Sequence, residues 1–324
     1  MTDYTPSFIF KNRHINTCFP TLFRKIEIEY ERERIETPDN DFLDLDWVKT
    51  GSDKLLILCH GLEGSSNSKY IKGMAKYFSE RNWDILAMNY RGCSEEINKQ
   101  PYFYNSGCTK DLTFIVEKYN KYSTIGIVGF SLGANLILRY LGTCEHYPKN
   151  LAVATAVSPP CNLLCSAEKM KASASLIYQN QFLKSLKEKV IRKNKLYPGI
   201  YKNLIDLNKF QKIKTLMEFD EIFTAPLYGY SSSYEYYEKN SSIHTLKNIK
   251  IPTYILMPLD DPIMGSDCYP YKESENNSYI QLETPEFGGH IGFSQLEDFP
   301  YWHEQKIYDY INKISENKKT WVPS

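Results

Sequence analysis

The sequence predicts an α/β fold built on a mostly parallel, doubly wound sheet with helices on both faces. Helical and strand-like segments alternate along residues 55–157, which is the pattern of consecutive βαβ units. Residues 55–59 are apolar at every position, as expected for a strand that is buried on both faces of a parallel sheet. The 324 residues are enough for one large domain with insertions rather than for several domains.

The elements of this fold are predicted in chain order. Residues 25–36 and 42–48 alternate polar and apolar side chains on either side of a turn at 38–41, which predicts an antiparallel hairpin at the start of the sheet. Further strands are expected at 55–59, 84–88, 125–130, 151–157, 253–257 and 278–282. Helices are expected at 70–81, 111–119 and 133–141, with a final amphipathic helix at 302–317.

Residues 161–248 interrupt this alternation and are predicted to form a lid over the strand ends. Helices are expected within it around 166–194 and 201–217. The tyrosine-rich residues 228–237 either line an acyl pocket or simply pack on the sheet, and we expect packing for most of them. The lysine-rich stretch 184–195 is expected to be a solvated helix face. The sequence therefore predicts one domain over 1–324 with a lid inserted at about 161–248.

Composition excludes several classes of function. The 39 basic residues equal the 39 acidic ones, which gives no reason to expect a nucleic-acid partner. The apolar runs are too short to span a bilayer, and the N-terminus lacks the features of a signal peptide, so a cytoplasmic protein without an integral membrane segment is expected. The eight cysteines contain no C-x-x-C pair and are predicted to be structural thiols rather than disulfides or a metal site.

A Gly-x-Ser-x-Gly pentapeptide at Gly129–Gly133 stands between a predicted strand and a predicted helix. A serine on such a tight turn points its hydroxyl out of the sheet, and the glycines avoid collisions with the neighbouring strand and helix. The following helix directs its free N–H groups to the same place, where an oxyanion would form. Ser131 is therefore the candidate nucleophile.

The other catalytic candidates follow from the chain order serine, acid, histidine. Four histidines follow Ser131, namely His146, His244, His290 and His303. His290 is the candidate base, since glycines flank it and it lies between the last strand and the last helix. Asp260 and Asp261 follow the preceding strand, and only one of them can accept the histidine N–H. We favour Asp261, with Asp260 binding backbone amides in the turn.

An oxyanion hole needs two backbone N–H groups. Leu132, next to the nucleophile, is expected to supply one. The loop after residues 55–59 contains Gly61 and Gly64, which let its backbone turn an amide inward, and Leu62 is the expected second donor. His60 is predicted to anchor this loop rather than to act as a base.

The candidate residues belong to a series of short motifs that are spread over almost the whole chain. The motifs lie at residues 12–17, 32–34, 41–47, 60–65, 90–94, 129–135, 224–226, 229–230, 260–262 and 288–293. In this order the chain resembles the YheT-like α/β-hydrolases, bacterial relatives of eukaryotic abhydrolase-domain lipases and phospholipases. The resemblance implies an α/β-hydrolase fold and hydrolysis of carboxylic esters, with acylglycerols, phospholipids or small acyl esters as substrates. It matches Ser131 to the nucleophile, Asp261 to the acid and His290 to the base.

Three positions depart from the family pattern. Asn105 stands where the family usually has histidine, Asn16 replaces glutamine, and Met257-Pro258 replaces Asn-Ala before the acid pair. None of them belongs to the predicted triad, so they bear on substrate preference. The resulting hypothesis is a serine esterase that forms an acyl-enzyme and needs no metal or organic cofactor. Two alternatives are acyl transfer to an acceptor other than water, and a non-catalytic ligand-binding protein on a hydrolase scaffold.

Overall fold

The computed structural model describes residues 4–172 and 175–316, and its centre is an eight-stranded sheet. The strands are β1 (Glu31–Glu36), β2 (Phe42–Val48), β3 (Lys54–Cys59), β4 (Asp84–Asn89), β5 (Thr124–Phe130), β6 (Leu151–Val157), β7 (Thr253–Leu256) and β8 (Ile280–Glu283). Their order in the sheet is β1-β2-β4-β3-β5-β6-β7-β8. The first two strands are an antiparallel hairpin, β2 pairs antiparallel with β4, and all later pairings are parallel. The predicted fold class is confirmed.

Helices cover both faces of the sheet. The helices are α1 (Arg13–Phe23), α2 (Lys69–Ser79), α3 (Lys110–Lys118), α4 (Leu132–Thr143), α5 (Leu163–Met170), α6 (Leu176–Leu196), α7 (Leu207–Gln211), α8 (Leu216–Phe219), α9 (Ala225–Leu227), α10 (Ser233–Asn240), α11 (Tyr271–Glu275) and α12 (Trp302–Glu316). Helices α2 and α12 pack together against one face, and α3 and α4 cover the other. No helix in the described part of the chain combines the length and apolar composition needed to span a bilayer.

Some predicted boundaries are wrong. The first strand begins at Glu31 rather than at 25, and the predicted helix over 201–217 is replaced by the short helices α7 and α8. These two helices are separate because each has its own N-cap: the Asp206 side chain accepts from two backbone amides, and Thr215 accepts from the amide of Glu218. Residue 317, the predicted end of the last helix, lies outside the described residues.

Helices α5 to α10 lie between β6 and β7, in the segment predicted to be a lid. The prediction that its lysine-rich stretch is solvated is wrong at two positions. Lys189 Nζ lies 2.6 Å from Glu63 Oε1, and the fully buried Lys193 donates to Asn98 Oδ1 at 2.8 Å. Helix α6 therefore directs these two charged side chains toward the body of the protein, where Glu63 and Asn98 accept their hydrogen bonds.

Candidate active site

Ser131 lies on the tight turn between β5 and α4. Its backbone has φ 53° and ψ −119°, a left-handed conformation that non-glycine residues adopt rarely and that is concentrated at functional sites. A Cβ on Gly133 would collide with the carbonyl oxygen of His60, and one on Gly129 would collide with the carbonyl of Gly133. Both glycines are therefore required by the close approach of strand and helix, as the sequence predicts.

Three side chains form a continuous hydrogen-bonded series at the carboxyl edge of the sheet. His290 Nε2 lies 2.8 Å from Ser131 Oγ, and His290 Nδ1 lies 2.8 Å from Asp261 Oδ2. Asp261 follows β7 and His290 follows β8, and both side chains are buried. The buried carboxylate favours the tautomer with a proton on Nδ1, which leaves Nε2 able to accept the proton of Ser131.

The structure separates the two adjacent aspartates. Asp261 Oδ1 accepts from the amide of Ile263 at 2.9 Å, which fixes the carboxylate that contacts His290. Asp260 Oδ1 instead accepts from the amide of Gly289 at 2.8 Å, so Asp260 binds a backbone amide of the histidine loop. Burial raises the pKa of Asp260 to about 6. Asp261 thus orients the histidine side chain, and Asp260 holds the loop that carries it.

Helix α1 supports the same histidine loop, and the sequence did not predict this helix. Thr17 Oγ1 accepts from the backbone amide of His290 at 2.9 Å, and Asn16 Oδ1 accepts from the amide of Ser294 at 2.8 Å. A Cβ on Gly292 would collide with the backbone of Asn16. Helix α1 contains Pro20, which weakens its helical signal, so the one sequence feature pointing to these contacts is the family likeness at 12–17.

The two predicted oxyanion donors lie beside Ser131. Leu132 is the first residue of α4, where backbone N–H groups have no partner within the helix. Leu62 lines the same pocket as Ser131, and a Cβ on its neighbour Gly61 would lie 3.2 Å from Ser131 Cβ. His60 anchors this loop, because its Nδ1 lies 2.7 Å from the carbonyl of Gly61 and its Nε2 accepts from the backbone amide of Tyr90, the residue after β4. Burial lowers the pKa of His60 to about 3, so this anchor is neutral.

Glu63, the residue after Leu62, is hydrogen-bonded to three side chains. We call these four residues the Glu63 cluster: Glu63, Tyr104, Ser185 and Lys189. Ser185 Oγ donates to Glu63 Oε2 at 2.6 Å, and Lys189 Nζ donates to Oε1 at 2.6 Å. The Tyr104 hydroxyl accepts from the Glu63 amide at 2.7 Å and donates to Oε1 at 2.8 Å. Because Ser185 and Lys189 belong to α6, this cluster ties the inserted helices to the loop that carries Leu62.

A largely apolar pocket opens onto Ser131 and His290. It encloses about 830 Å³ of space, part of it open to solvent. Helices α5, α6, α8 and α10 contribute to its walls, with side chains such as Met170, Phe182 and Leu216. Tyr236 and Tyr237 also line it, whereas Tyr234 is exposed, so two tyrosines of the tyrosine-rich stretch take the pocket-lining role and Tyr234 neither lines the pocket nor packs in the interior.

An acidic residue that the sequence did not single out, Asp220, also lines the pocket. Asp220 is the first residue of a π-helical turn, Asp220–Thr224, between α8 and α9. Its Oδ2 accepts from the Tyr237 hydroxyl at 2.7 Å. Burial raises the pKa of Asp220 to about 6, against the opposing effect of hydrogen bonds from Thr224 and Tyr237. Its sequence signal is indirect, since it lies four residues before the family motif at 224–226.

A serine on the turn after a central strand, with a histidine and an aspartate from two later loops against it, is the arrangement that defines hydrolases of the α/β class. The chain belongs to the α/β-hydrolase fold family, whose model matches residues 54–295, and within that family to the YheT-like proteins. The resemblance recognised in the sequence is therefore confirmed.

Individual proteins show how far the likeness extends. The chain is 32% identical to the protein YheT of Escherichia coli (strain K12), over 98% of this chain and 95% of that protein. It is 27% identical to phospholipase ABHD3 of Mus musculus, over 95% of this chain and 76% of that protein. Among solved structures, the Pyrococcus furiosus esterase Pf2001 is similar with a TM-score of 0.58 and 18% identity, over 90% of this chain and 98% of that one. This last likeness concerns the fold.

Proposed function

We propose that the protein hydrolyses carboxylic esters through a covalent acyl-enzyme on Ser131. The observation that carries the proposal is the pair of 2.8 Å contacts that joins Ser131, His290 and Asp261. A serine hydroxyl is a weak nucleophile unless an adjacent base accepts its proton and a third group orients that base. This geometry supplies both, in a buried site at the mouth of an apolar pocket.

The reaction divides into two acyl transfers. His290 Nε2 takes the proton of Ser131 as the serine oxygen attacks the ester carbonyl. The amides of Leu132 and Leu62 stabilise the oxyanion, and His290 then gives its proton to the departing alcohol. A water molecule next loses its proton to His290 and attacks the acyl-serine. The carboxylic acid leaves, and the proton returns to Ser131.

The same proposal assigns residues 161–248 as a lid on a single domain. Support comes from the pocket, whose walls are formed in large part by helices α5, α6, α8 and α10. Its apolar lining suits the acyl chain of an acylglycerol, a phospholipid or a smaller ester, the classes that the family resemblance implies, and the mouse relative is named a phospholipase. A cytoplasmic location stays a prediction from the sequence.

The test is hydrolysis of p-nitrophenyl esters from acetate to palmitate by the wild type and by Ser131→Ala. We expect turnover to fall at least about a thousandfold in the variant, since the acyl-enzyme cannot form. Ser158→Ala is the matched control, because Ser158 follows the neighbouring strand β6, is buried and has the same left-handed backbone with φ 48°. Its activity should equal that of the wild type.

Two outcomes would reject the proposal or redirect it. A folded Ser131→Ala variant that keeps its activity would refute the acyl-enzyme mechanism. Absence of turnover on every ester by the folded wild type would favour the ligand-binding alternative. Adding an acceptor alcohol to the active enzyme and analysing the products separates hydrolysis from acyl transfer, because transfer yields a new ester in place of the free acid.

A further inference from the structure

Among the described residues that line the pocket, Asp220 is the one with an acidic side chain, and none of them is a lysine or an arginine. Within residues 4–172 and 175–316, no cationic side chain forms an ion pair with it. An acyl chain gains nothing from a carboxylate, and Asp220 is half-buried, so that its unpaired charge is partly removed from water, which is unfavourable. The catalytic series of Ser131, His290 and Asp261 does not use this residue. Asp220 therefore calls for a role of its own.

The hydrogen bonds of Asp220 leave part of its capacity unused. A carboxylate can accept about four hydrogen bonds, and the protein supplies those from the Tyr237 hydroxyl at 2.7 Å and from the Thr224 side chain. Both partners also line the pocket. The residue begins a π-helical turn, a distortion of the helix that is common at functional sites. The wall around Asp220 is thus polar, in contrast to the apolar wall around Phe182 and Leu186.

This division matches the two halves of an ester. The acyl chain suits the apolar wall, and a hydroxyl group on the alcohol portion could donate to Asp220. A phosphate group is disfavoured there, because the lining provides a negative charge and no cation of a lysine or arginine to compensate it. A neutral alcohol portion with free hydroxyl groups, as in a glycerol monoester, satisfies the carboxylate without repulsion.

We propose that Asp220 is a specificity-determining residue that accepts a hydrogen bond from a hydroxyl group on the alcohol portion of the substrate. The inference rests on the proposed ester hydrolysis and narrows it to neutral, hydroxyl-bearing esters. Asp220 binds the substrate away from the reacting bond, so its effect appears in the choice between esters that share one acyl chain.

The test compares kcat/KM for monodecanoylglycerol and ethyl decanoate, which differ only in the alcohol portion. We expect the wild type to prefer the glycerol ester, and Asp220→Asn to lower this preference about tenfold or more, because a hydrogen bond to a charged acceptor is lost. Tyr237→Phe is the matched control. It removes the hydrogen bond between the Tyr237 hydroxyl and Asp220 but keeps the carboxylate, so the preference should persist.

Each result decides a different point. An unchanged preference in folded Asp220→Asn, with both esters still hydrolysed, overturns the inference and leaves the proposed function intact. An equal loss of preference in Tyr237→Phe also overturns it, because Asp220 would then act only by placing Tyr237. Decanoylcholine carries a cation and no hydroxyl; if Asp220→Asn impairs this ester and not the glycerol ester, the residue recognises charge and the hydroxyl assignment is wrong. If the wild type hydrolyses p-nitrophenyl esters but none of these three esters, the inference alone is overturned; if it hydrolyses neither set, the proposed function is overturned as well.

Discussion

The Lys189–Glu63 ion pair joins α6 to the loop that carries Leu62, and Lys189→Met tests its importance. The side chains of Lys189 and Glu63 are 11% and 6% exposed, and their charged atoms are 2.6 Å apart. Removing one partner of a buried pair leaves the other charge uncompensated, which costs about 3 to 5 kcal/mol. Glu63 keeps its hydrogen bonds from Tyr104 and Ser185, so we expect a loss near the lower end, about 3 kcal/mol of the free energy of unfolding.

The effect on catalysis should appear mainly in kcat. The amide of Leu62 would contact the oxyanion only as it forms, so a displaced loop weakens binding of the transition state more than binding of the substrate. Loss of a complete oxyanion donor costs about 100-fold or more. A loop that is loosened rather than removed should lower kcat by about tenfold, with little change in KM.

Urea unfolding and ester hydrolysis measure the two effects. Lys184→Met is the control on the same helix, because Lys184 is 77% exposed and only 4.0 Å from Glu188 in a surface pair, which contributes less than about 0.5 kcal/mol. The double variant Glu63→Gln/Lys189→Met should regain much of the lost stability, since it contains no unpaired charge. If Lys189→Met is no less stable than the control, the pair does not hold the loop.

Two further predictions concern the carboxylates. Asp261→Asn should lower kcat of ester hydrolysis about a thousandfold or more, because the amide favours the wrong histidine tautomer. Asp260→Asn should lower kcat less than about tenfold, since its side-chain oxygen can still accept from Gly289. Equal losses of kcat would contradict the separation of roles. The pKa of Asp220 is raised to about 6 in the folded state, so the folded protein binds more protons than the unfolded chain and loses stability as the pH rises from about 4 to about 6. The free energy of unfolding of Asp220→Asn should therefore be about 2 kcal/mol higher than that of the wild type at pH 8, and the difference should vanish near pH 4. Thermal denaturation at the two pH values measures it. A variant that is less stable than the wild type at pH 8 would show that the carboxylate is structural.

The nucleophile turn could be predicted because its determinants are local. Gly129, Ser131 and Gly133 meet their requirements within five residues, between a strand and a helix that are each recognisable. The choice between Asp260 and Asp261 depends instead on the direction of each side chain in a loop. That direction is fixed by the bond from the Ile263 amide to Asp261 and by the bond from Gly289 to Asp260. Sequence alone favours Asp261 only weakly, because Asp260 and Asp261 are the same residue type and both follow the same strand.

The contacts of the inserted helices could not be predicted, because their partners are distant in sequence. Lys189 is 126 residues from Glu63, and Lys193 is 95 residues from Asn98. A lysine-rich stretch normally indicates a solvated surface, and nothing within α6 shows that two of its lysines meet buried acceptors. Asp220 is similar: its exposure to the pocket depends on how the turn at Asp220–Thr224 packs against Tyr237, which no local pattern encodes.

The inserted helices contact the proposed active site at two places, and these contacts have opposite effects on stability. At the Leu62 loop, Lys189 compensates the charge of Glu63 and joins α6 to that loop. At the pocket wall, Asp220 is a half-buried carboxylate that pairs with no cationic side chain of residues 4–172 and 175–316, and its desolvation disfavours the charged form. A hydroxyl-bearing substrate would supply a further donor to Asp220 and so offset the cost of leaving this carboxylate without a cation. Binding of an ester with such an alcohol portion would thereby stabilise the inserted helices, which also hold Glu63 through Lys189.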